Sequence, residues 1–542
     1  MPYLLAAEAD KIQDFIFRSS RLREVVGASQ LLTRFCRSVE DTLARQHNGQ
    51  VVVNDGGSFR IIFLTRDEAI AFGNELIELY RLVLGSSLTV AEPVELSSKF
   101  TDANEEIGRK LRWAKSRREG IVAEVHMPYV AFCASCGVAL AEQRGRLGGQ
   151  RASARSQYLC AICRTKTAER DRTSRVLLED FYQAYCTVLE IDSKQDTDWP
   201  EDTDDVAAFD LGKRNYVAYL VADGNGMGQI FGMCDQKQIK DLSNELAQVL
   251  HESLAVPAAQ FRKAMPGQAA MVPILPLILG GDDLFALIPA PYALDFARQF
   301  CLEWEKRMSV LTQKIGLIHI PRPTIAAAVV ICKNTYPYAL AHRRAETLLK
   351  EAKRQSKLLT AEIGEHLSAV NFEVILGNRL AGLEGEDNDR PIRASLRPYW
   401  VAENSLPTAA RQQGIELKQL LEQRIELKDL PNKRLAELRH CFEDLPEMKV
   451  RDRIQQMSIW TKRRIDKILS RVGNTSREKL EKALESLGKP RNDSSGAHHW
   501  LSVTRNGEDL LAHGIPDLLE VWDFAQTLDH SPDEYAPQEE EA

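Results

Sequence analysis

Residues 273–288 read PILPLILGGDDLFALI, two apolar runs joined by the acidic turn Gly280-Gly281-Asp282-Asp283. Short apolar runs on both sides of a Gly-rich pair predict a β-hairpin, so the two aspartates are expected at its tip. Upstream, the apolar run NYVAYLVA over 215–222 leads into Asp223-Gly224-Asn225-Gly226. Its β-branched and aromatic residues predict a strand that ends in a third carboxylate.

Carboxylates at the ends of neighbouring strands are the donor set that a divalent metal ion requires. Adjacent strands lie about 4.8 Å apart, so acids at their ends can share an ion. Mg²⁺ prefers oxygen ligands, and a pair of such ions can stabilise both ends of a phosphoryl transfer. Asp223, Asp282 and Asp283 are therefore predicted to bind Mg²⁺ or Mn²⁺ and to catalyse attack of a 3′-hydroxyl on the α-phosphate of a nucleoside triphosphate. A polar turn without chemistry is the alternative, since Asp and Gly favour turns for local reasons.

The residues beside these acids are predicted to contact the nucleotide. Gly224 and Asn225 lie between the strand and the following helix, where a bare backbone can approach a triphosphate and offer amide donors. Gly280 and Gly281 let the hairpin tip lie close to the nucleotide without a side chain between them.

The order of elements around these motifs occurs twice along the chain. Residues 213–377 predict a β-α-β-β-α-β order with a further helix and strand, and residues 1–128 predict the same β-α-β-β-α-β order. The fold class is therefore α+β, with two ferredoxin-like units. Each unit has an acid after its first strand, a Gly-Gly hairpin and an Ala-Lys pair in a later helix. These motifs are Asp10 and Asp223, Gly56-Gly57 and Gly280-Gly281, and Ala114-Lys115 and Ala352-Lys353.

The two hairpins differ in their acids. If the glycine pairs are aligned, Ser58 and Phe59 stand where the second unit has Asp282 and Asp283. Hydroxyl and phenyl groups are poor ligands for Mg²⁺, so only the second unit is predicted to be chemically active. Coincidence among common dipeptides is the alternative to a duplication.

Between the units, four of the ten cysteines form two CxxC pairs. They are Cys133, Cys136, Cys160 and Cys163. Two such pairs predict a tetrahedral Zn²⁺ site, and because four cysteines leave no open ligand position the zinc is expected to be structural. A redox disulfide pair is the alternative.

The remaining segments give weaker signals. Residues 171–212 predict a helix and an acidic linker, 378–530 a helical C-terminal domain, and 531–542 an acidic, disordered tail. The helical region carries a basic stretch at 449–479, which predicts either contacts with RNA phosphates or a solvated helix face.

Composition limits the class of protein. The 542 residues have a formal net charge of −7, so any binding of nucleic acid has to use local basic patches. The first residues, MPYLLAAEADK, lack the basic and apolar regions of a signal peptide, and no apolar run reaches the roughly 18 residues of a membrane helix. The chain is predicted to be cytoplasmic, without a membrane contact.

The motifs resemble the large subunit of type III CRISPR effector complexes. The second unit, with Asp223-Gly-Asn-Gly-Met-Gly, Gly280-Gly-Asp-Asp283 and Ala352-Lys353, resembles the second palm domain of that subunit, which is related to GGDEF and class III nucleotide cyclases. The stretch Ile12-Gln-Asp-Phe-Ile-Phe17 in the first unit resembles its first palm. The region 129–170 then corresponds to a zinc module.

The resemblance implies synthesis of cyclic oligoadenylate signalling nucleotides from ATP, with loss of pyrophosphate. It implies that Asp223, Asp282 and Asp283 are the metal carboxylates and that Lys353 contacts the triphosphate. It also implies guide RNA and other effector-complex subunits as partners. Two departures are visible: Asn225 stands where the family often has an acid, and the HD nuclease domain is expected to be absent.

Several rival functions remain at this point. One is a stand-alone nucleotide cyclase in antiphage signalling, for which a homodimer is a possible assembly. Another is a non-catalytic RNA-binding scaffold that keeps the palm shape. A diguanylate cyclase is disfavoured because the turn reads GGDD and because that reaction needs neither the duplicated unit nor the cysteine insert.

Overall fold

The computed structural model describes most of the chain, and all statements below concern the described residues. These are residues 1–19, 21–96, 99–117, 131–145, 156–170, 176–192, 198–265, 271–317, 319–364, 366–376, 395–443, 453–488, 501–505 and 508–530. The predicted acidic tail, the start of the predicted C-terminal domain at 378–394 and the first residues of the basic stretch at 449–452 lie outside them.

The first unit is a ferredoxin-like sheet with helices on both faces. Its strands are β1 (Tyr3–Ala9), β2 (Gln50–Asp55), β3 (Ser58–Phe63), β4 (Leu88–Val90) and β5 (Val94–Glu95). Its helices are α1 (Ile12–Ile16), α2 (Leu22–Ser38), α3 (Arg66–Leu84) and α4 (Phe100–Arg117), with a π-helical turn over Val39–Ala44. The strand order is β2-β3-β1-β4, and β5 also pairs with β1. The predicted order of elements is confirmed.

Two predicted elements of this unit are interrupted. The helix expected over 10–46 is divided, because Arg21 is extended and separates α1 from α2. The strand expected over 88–96 is divided into β4 and β5 just before and after Pro93. Proline has no amide hydrogen, so it cannot donate to the ladder at that position.

The cysteine module and its connection follow. The module contains β6 (Gln143–Gly145), β7 (Gln157–Leu159) and α5 (Ala161–Arg170), and β6 pairs with β7. The connection to the second unit contains α6 (Val176–Leu189) and α7 (Thr203–Ala207). Asp202 begins α7 with a capping box, since its carboxylate accepts from the backbone amides of Asp204 and Asp205.

The second unit has the same core order and two additional strands. Its strands are β8 (Tyr216–Gly224), β9 (Leu275–Gly280), β10 (Asp283–Pro289), β11 (Ile325–Lys333), β12 (Ser368–Val374) and β13 (Tyr399–Val401). Its helices are α8 (Met227–Met233), α9 (Gln236–Ala264), α10 (Ala293–Lys314) and α11 (Tyr338–Ile363). The sheet order is β13-β12-β11-β8-β10-β9, with β12 parallel to β11 and α11 as the crossover between them. The ferredoxin-like prediction is confirmed here as well.

The two units pack on each other reciprocally. Helix α2 of the first unit lies on β9 of the second, and helix α9 of the second lies on β2 of the first. In the first unit α2 and α3 cover one face of the sheet, and α9 of the second unit covers the other face. In the second unit α9 and α10 cover one face of the sheet, and α2 of the first unit covers the other face. Two large apolar cores result, and each combines buried residues of both units. The same symmetry brings α1 beside α11 and α8 beside α4.

The described part of the C-terminal region is largely helical, as predicted for 378–530, and it also contains short strands. Its elements after β13 are α12 (Thr408–Gln413), α13 (Leu417–Glu426), α14 (Asn432–Glu443), α15 (Arg453–Leu469), α16 (Asn474–Ser486), β14 (Leu501–Arg505), β15 (Glu508–Ala512) and α17 (Gly514–Glu520). Strand β13 belongs to the sheet of the second unit, because its buried residues Tyr399, Trp400 and Val401 pair with β12. Strands β14 and β15 pair with each other in a separate two-stranded antiparallel sheet. Within the described residues, no helix is both long enough and apolar enough to cross a bilayer.

Candidate active site

The acidic hairpin is a two-residue turn in which only the first central residue is left-handed. Gly280 pairs with Asp283, so Gly281 and Asp282 are the central residues of the turn. Gly281 has φ +57°, whereas Asp282 is not among the non-glycine residues with positive φ. This is the pattern of a type II′ turn, which requires glycine at its first central position. The turn therefore requires glycine at position 281 and allows an acidic residue at position 282.

Strand pairing brings Asp223 to the hairpin tip. Ala222 is opposite Leu284 in the antiparallel β8–β10 pair, so Asp223 lies one residue beyond that pairing, beside the turn. The carboxylate of Asp282 lies beside Gly224, next to Asp223, so that the two carboxyl groups are close enough to share a proton. Burial raises the pKa of Asp282 well above its usual range, and the charges of Asp223 and Asp283 raise it further. A cation at this place would relieve the repulsion between these carboxylates.

Gly224 is required by the position of Asp282. A Cβ atom at residue 224 would lie 2.8 Å from Oδ2 of Asp282 and 2.5 Å from Cγ of Met227. Both distances are shorter than real Cβ contacts, so any side chain here would displace the carboxylate or Met227. Gly224 therefore determines where the Asp282 carboxylate lies.

Lys353 reaches the same carboxylates from helix α11. Its Nζ contacts Oδ2 of Asp223 and donates to the carbonyl oxygen of Gly224 at 3.3 Å. Helix α11 packs on β8 and β11, so the lysine is delivered across the end of the central strand. The sequence-predicted Lys353 is thus at the site.

Asn225 faces away from the hairpin acids. Its backbone amide donates to the carbonyl oxygen of Thr324 at 2.8 Å. Its side-chain amide donates to Oγ1 of Thr324 at 3.1 Å and to Oγ of Ser356 at 3.4 Å. The amide group is therefore engaged with neutral hydroxyls, where a carboxylate would instead accept from them.

The three predicted metal carboxylates are not equally placed. Asp223 and Asp282 meet, whereas Asp283 is exposed and acts on Asp282 through its charge. Among the described residues, the only group of three or more His, Cys, Asp or Glu side chains close enough to hold a metal ion is the cysteine cluster. The pair Asp223 and Asp282 is therefore the preformed part of the acidic site.

Strand pairing corrects the predicted alignment of the two units by one residue. In the first hairpin Asp55 pairs with Ser58, so Gly56 and Gly57 are the central residues, with φ +56° and +77°. Gly57 and Ser58 thus correspond to Asp282 and Asp283, whereas Ser58 and Phe59 were expected there. The prediction aligned the Gly-Gly pairs, but a type I′ turn needs glycine at both central positions and a type II′ turn only at the first.

The same correction changes the acid of the first unit. Glu8 is opposite Ser58 and corresponds to Asp223. Lys115 confirms this, because its Nζ lies 2.6 Å from Oε2 of Glu8, as Lys353 contacts Asp223. Asp10, predicted as the counterpart of Asp223, corresponds to Asn225, and its carboxylate accepts from Oγ1 of Thr89 at 2.9 Å.

Sequence reasoning missed the residues that line the wall between the units. Gln13 of α1 donates to Oε1 of Glu346 on α11 at 3.3 Å. Nearby, the ring of Phe17 lies 4.1 Å from that of His342 and 5.4 Å from that of Phe285. Glu346 precedes Lys353 by two helical turns, so helical spacing from Lys353 would have identified it.

The cysteine cluster is confirmed as a group that can hold a metal ion. The sulfur atoms of Cys133, Cys136, Cys160 and Cys163 all lie within 4.8 Å of one another. Zn–S bonds of about 2.3 Å place tetrahedral sulfurs about 3.8 Å apart, so the spacing fits zinc. Hydrogen bonds from Cys160 and Cys163 lower the pKa of Cys136, and the hydrogen bond with Cys136 raises that of Cys160 to about 12.

The cluster is anchored on the first unit by buried polar contacts. The buried Glu24 of α2 accepts from the hydroxyls of Ser19 and Ser135. Lys166 of α5 donates to the carbonyl oxygen of Phe15 and lies 4.1 Å from the centre of its ring. The module therefore holds the start of α2 and the end of α1.

The basic stretch is partly exposed in α15. Lys462, Arg463 and Lys467 are exposed, whereas the guanidinium of Arg464 lies 3.7 Å from the ring centre of Trp460. Arg464 also donates to the carbonyl oxygen of His440 at 2.9 Å. Contact with RNA phosphates at this surface stays a prediction.

Comparison with solved structures gives relatives of low sequence identity. The Csm1-Csm4 cassette in complex with pppApApA is 14% identical, with 97% of this chain and 69% of that chain covered and a TM-score of 0.48. The cassette in complex with pppApA is 14% identical, with 68% and 54% covered and a TM-score of 0.41. The cassette with cA4 is 15% identical, with 70% and 55% covered and a TM-score of 0.41. The chain thus spans about half the length of the last two.

Comparison with protein families gives a match over the second unit. No curated protein matches the chain. The family model that matches is "Cas10/Cmr2, second palm domain", over residues 216–358. This segment begins with β8 and contains the acidic hairpin and Lys353. Residues 216–358 are therefore similar to the second palm domain of Cas10/Cmr2.

Proposed function

We propose that this protein is a metal-dependent nucleotidyltransferase that makes cyclic oligoadenylate-type signalling nucleotides from ATP. The observation that carries the proposal is the contact between Asp223 and Asp282 at the tip of the hairpin, inside a palm domain of the Cas10/Cmr2 family. Two carboxylates that share one place at the end of a sheet repel each other, and a divalent cation satisfies both.

The donor set fits Mg²⁺ or Mn²⁺, with Asp223 and Asp282 as the preformed ligands and Asp283 as a further one. The metal would supply charge neutralisation at the α-phosphate and at the attacking 3′-oxygen. Gly224 and Gly281 keep side chains away from the space beside the acids. Lys353 would bind a phosphate oxygen, because its ammonium group already lies at the carboxylates. The glycines and Lys353 would thus orient the triphosphate for in-line attack.

We infer that the protein acts as the large subunit of a type III CRISPR effector complex, with guide RNA and other subunits as partners. The palm-family match supports this role, and the four-cysteine cluster is compatible with a structural Zn²⁺. The solved relatives are cassettes of Csm1 with Csm4, and the same kind of assembly is proposed for this chain. A stand-alone cyclase is the second form of the same activity, and purified protein distinguishes the two by whether partners are needed.

The test is release of pyrophosphate from ATP with Mg²⁺ or Mn²⁺, and chromatography of the nucleotide products. The assay is run with the chain alone and with the assembled, RNA-activated complex. Asp282→Ala combined with Asp283→Ala should abolish turnover and leave the folded state intact, since both residues lie in a turn. Glu78→Ala is the matched control, because Glu78 is an exposed acid on α3 that pairs with Arg81. If the wild-type complex forms no product, or the double variant retains normal turnover, the proposed function is wrong.

A further inference from the structure

Reciprocal packing creates two equivalent contacts between the units, one beside each strand end. Helix α1 meets α11 near Asp223, and helix α8 meets α4 near Glu8. Residues of one contact can be matched with residues of the other by counting back from Lys353 and Lys115, the lysines that contact Asp223 and Glu8. Glu346 lies seven residues before Lys353, and Gly108 lies seven residues before Lys115.

The other side of each contact corresponds in the same way. Helix α1 begins after Lys11 and helix α8 after Gly226, with φ of 49° and 68°. Counted from these left-handed residues, Gln13 corresponds to Gly228. The polar pair Gln13 and Glu346 in one contact is therefore replaced by two glycines in the other.

The glycine contact shows that packing of the units does not need a polar pair there. A Cβ atom at Gly228 would meet nothing within 4 Å. A Cβ atom at Gly108 would have Nη1 of Arg112 at 3.6 Å as its nearest neighbour. Since the contact of α8 with α4 forms without these side chains, the Gln13–Glu346 pair requires another explanation.

The carboxylate of Glu346 is oriented through one of its oxygens. Oε1 accepts from Nε2 of Gln13 at 3.3 Å and lies 3.7 Å from Nε2 of His342. The described residues provide no hydrogen-bond partner for Oε2. The side chain is 23% exposed, so this second oxygen is accessible from the wall between the units.

Glu346 also lies within electrostatic reach of the acidic site. Burial raises the pKa of Glu346, the charge of Lys350 lowers it, and the charges of Asp223 and Lys353 act on it in opposite directions. A negative group beside Asp223 repels phosphate. The Glu346 carboxylate can instead accept a hydrogen bond from a neutral donor on the nucleoside part of a nucleotide.

We propose that Glu346, oriented by Gln13 of the first unit, recognises a neutral hydrogen-bond donor of the nucleoside whose triphosphate binds at Asp223 and Asp282. The donor is the ribose 2′-hydroxyl or an exocyclic amino group of the base, since the 3′-hydroxyl of this nucleotide has to stay free to act as the nucleophile of the following condensation. This inference rests on the proposed function and assigns part of its substrate selectivity to a residue pair that spans both units.

The experiment compares ATP with two analogues that each lack one donor. These are 2′-deoxy-ATP, and purine riboside triphosphate, which has a hydrogen atom in place of the 6-amino group. kcat/KM is measured for all three nucleotides with the activated wild-type complex and with Glu346→Ala. The wild type should prefer ATP over one analogue, and Glu346→Ala should lower that preference about tenfold, the value of one hydrogen bond to a charged group. The analogue affected identifies the ribose or the base as the ligand.

Control variants separate recognition from structure. Gln13→Ala should lower the same ratio by a smaller factor, because it frees the Glu346 carboxylate without removing it. Glu351→Gln on the same helix, whose carboxylate accepts from Asn371 at 3.0 Å, should leave both ratios unchanged. Both ratios unchanged in Glu346→Ala would overturn the proposal, and so would a wild type without preference. If no nucleotide is turned over, the proposed function fails, and equilibrium binding of the same three nucleotides still decides the role of Glu346.

Discussion

Replacement of Gly224 by alanine should inactivate the protein through displacement of a carboxylate. The new Cβ would lie 2.8 Å from Oδ2 of Asp282, where ordinary contact begins at 3.4 Å, so the carboxylate has to move by about 0.6 Å. Misplacement of a reacting group by about 1 Å can cost about a hundredfold in rate. We therefore expect a loss in kcat of about tenfold to a hundredfold, or about 1.4 to 2.7 kcal/mol of transition-state stabilisation.

The measurement is steady-state pyrophosphate release by the activated complex, together with the apparent affinity for Mn²⁺ and the thermal midpoint of unfolding. Gly232→Ala is the matched control, because Gly232 lies on α8 and a Cβ there meets nothing within 4 Å. Gly232→Ala should behave as wild type. If Gly224→Ala keeps wild-type kcat and wild-type Mn²⁺ affinity, Asp282 does not lie where the structure places it, and the metal assignment loses its geometric basis.

Three further predictions concern other parts of the chain. Glu8→Gln and Asp10→Ala should each lower turnover by less than about tenfold, because Gly57 and Ser58 give Glu8 no carboxylate partner in the first hairpin. If either variant lost activity as completely as the Asp282 and Asp283 double variant, the proposal of a single active unit would be wrong. Cys160→Ser should reduce bound zinc below about one ion per chain and lower the thermal midpoint, whereas Cys234→Ser, outside the cluster, should leave the zinc content unchanged. Burial lowers the pKa of His342 from 6.5 to about 4, so the unfolded state binds the proton more tightly and stability falls as the pH drops from 7 to 5. His342→Phe should remove about 2 kcal/mol of that pH dependence, measured by denaturant unfolding at both pH values; an unchanged dependence would mean that His342 is not buried as a neutral ring.

The acidic hairpin could be predicted because its determinants are local. Gly280-Gly281 and the apolar runs around it specify a short turn between two strands, and strand spacing alone places Asp223 near the tip. The same reasoning failed by one residue in the first unit. A Gly-Gly pair can fill both central positions of a two-residue turn, as it does in the first unit. It can also fill the first central position and the position before it, as it does in the second unit. Only strand pairing distinguishes these two registers.

Contacts between distant segments could not be predicted in the same way. Gln13 and Glu346 are 333 residues apart, and nothing in either neighbourhood specifies the other. Strand β13 was missed for a related reason. Its three residues pair with β12 only because the sheet of the second unit has an open edge there, which is a property of the assembled fold. Resemblance predicts only that Lys353 contacts the triphosphate, whereas its contacts with Asp223 and with the carbonyl oxygen of Gly224 come from the structure.

Because the two units lie in one chain, substitutions can alter one half of the paired arrangement without altering the other. In a symmetric homodimer, every substitution occurs in both copies, so an acid cannot be lost from one site and kept in the other. Here the two halves are encoded separately, and a complementary exchange is visible. The second unit has Gly224 and Asp282 in contact, whereas the first has Ala9 and Gly57, where a Cβ at Gly57 would lie 2.9 Å from that of Ala9. Fusion in one chain thus lets one half keep the acidic hairpin while the other half forms the wall opposite it.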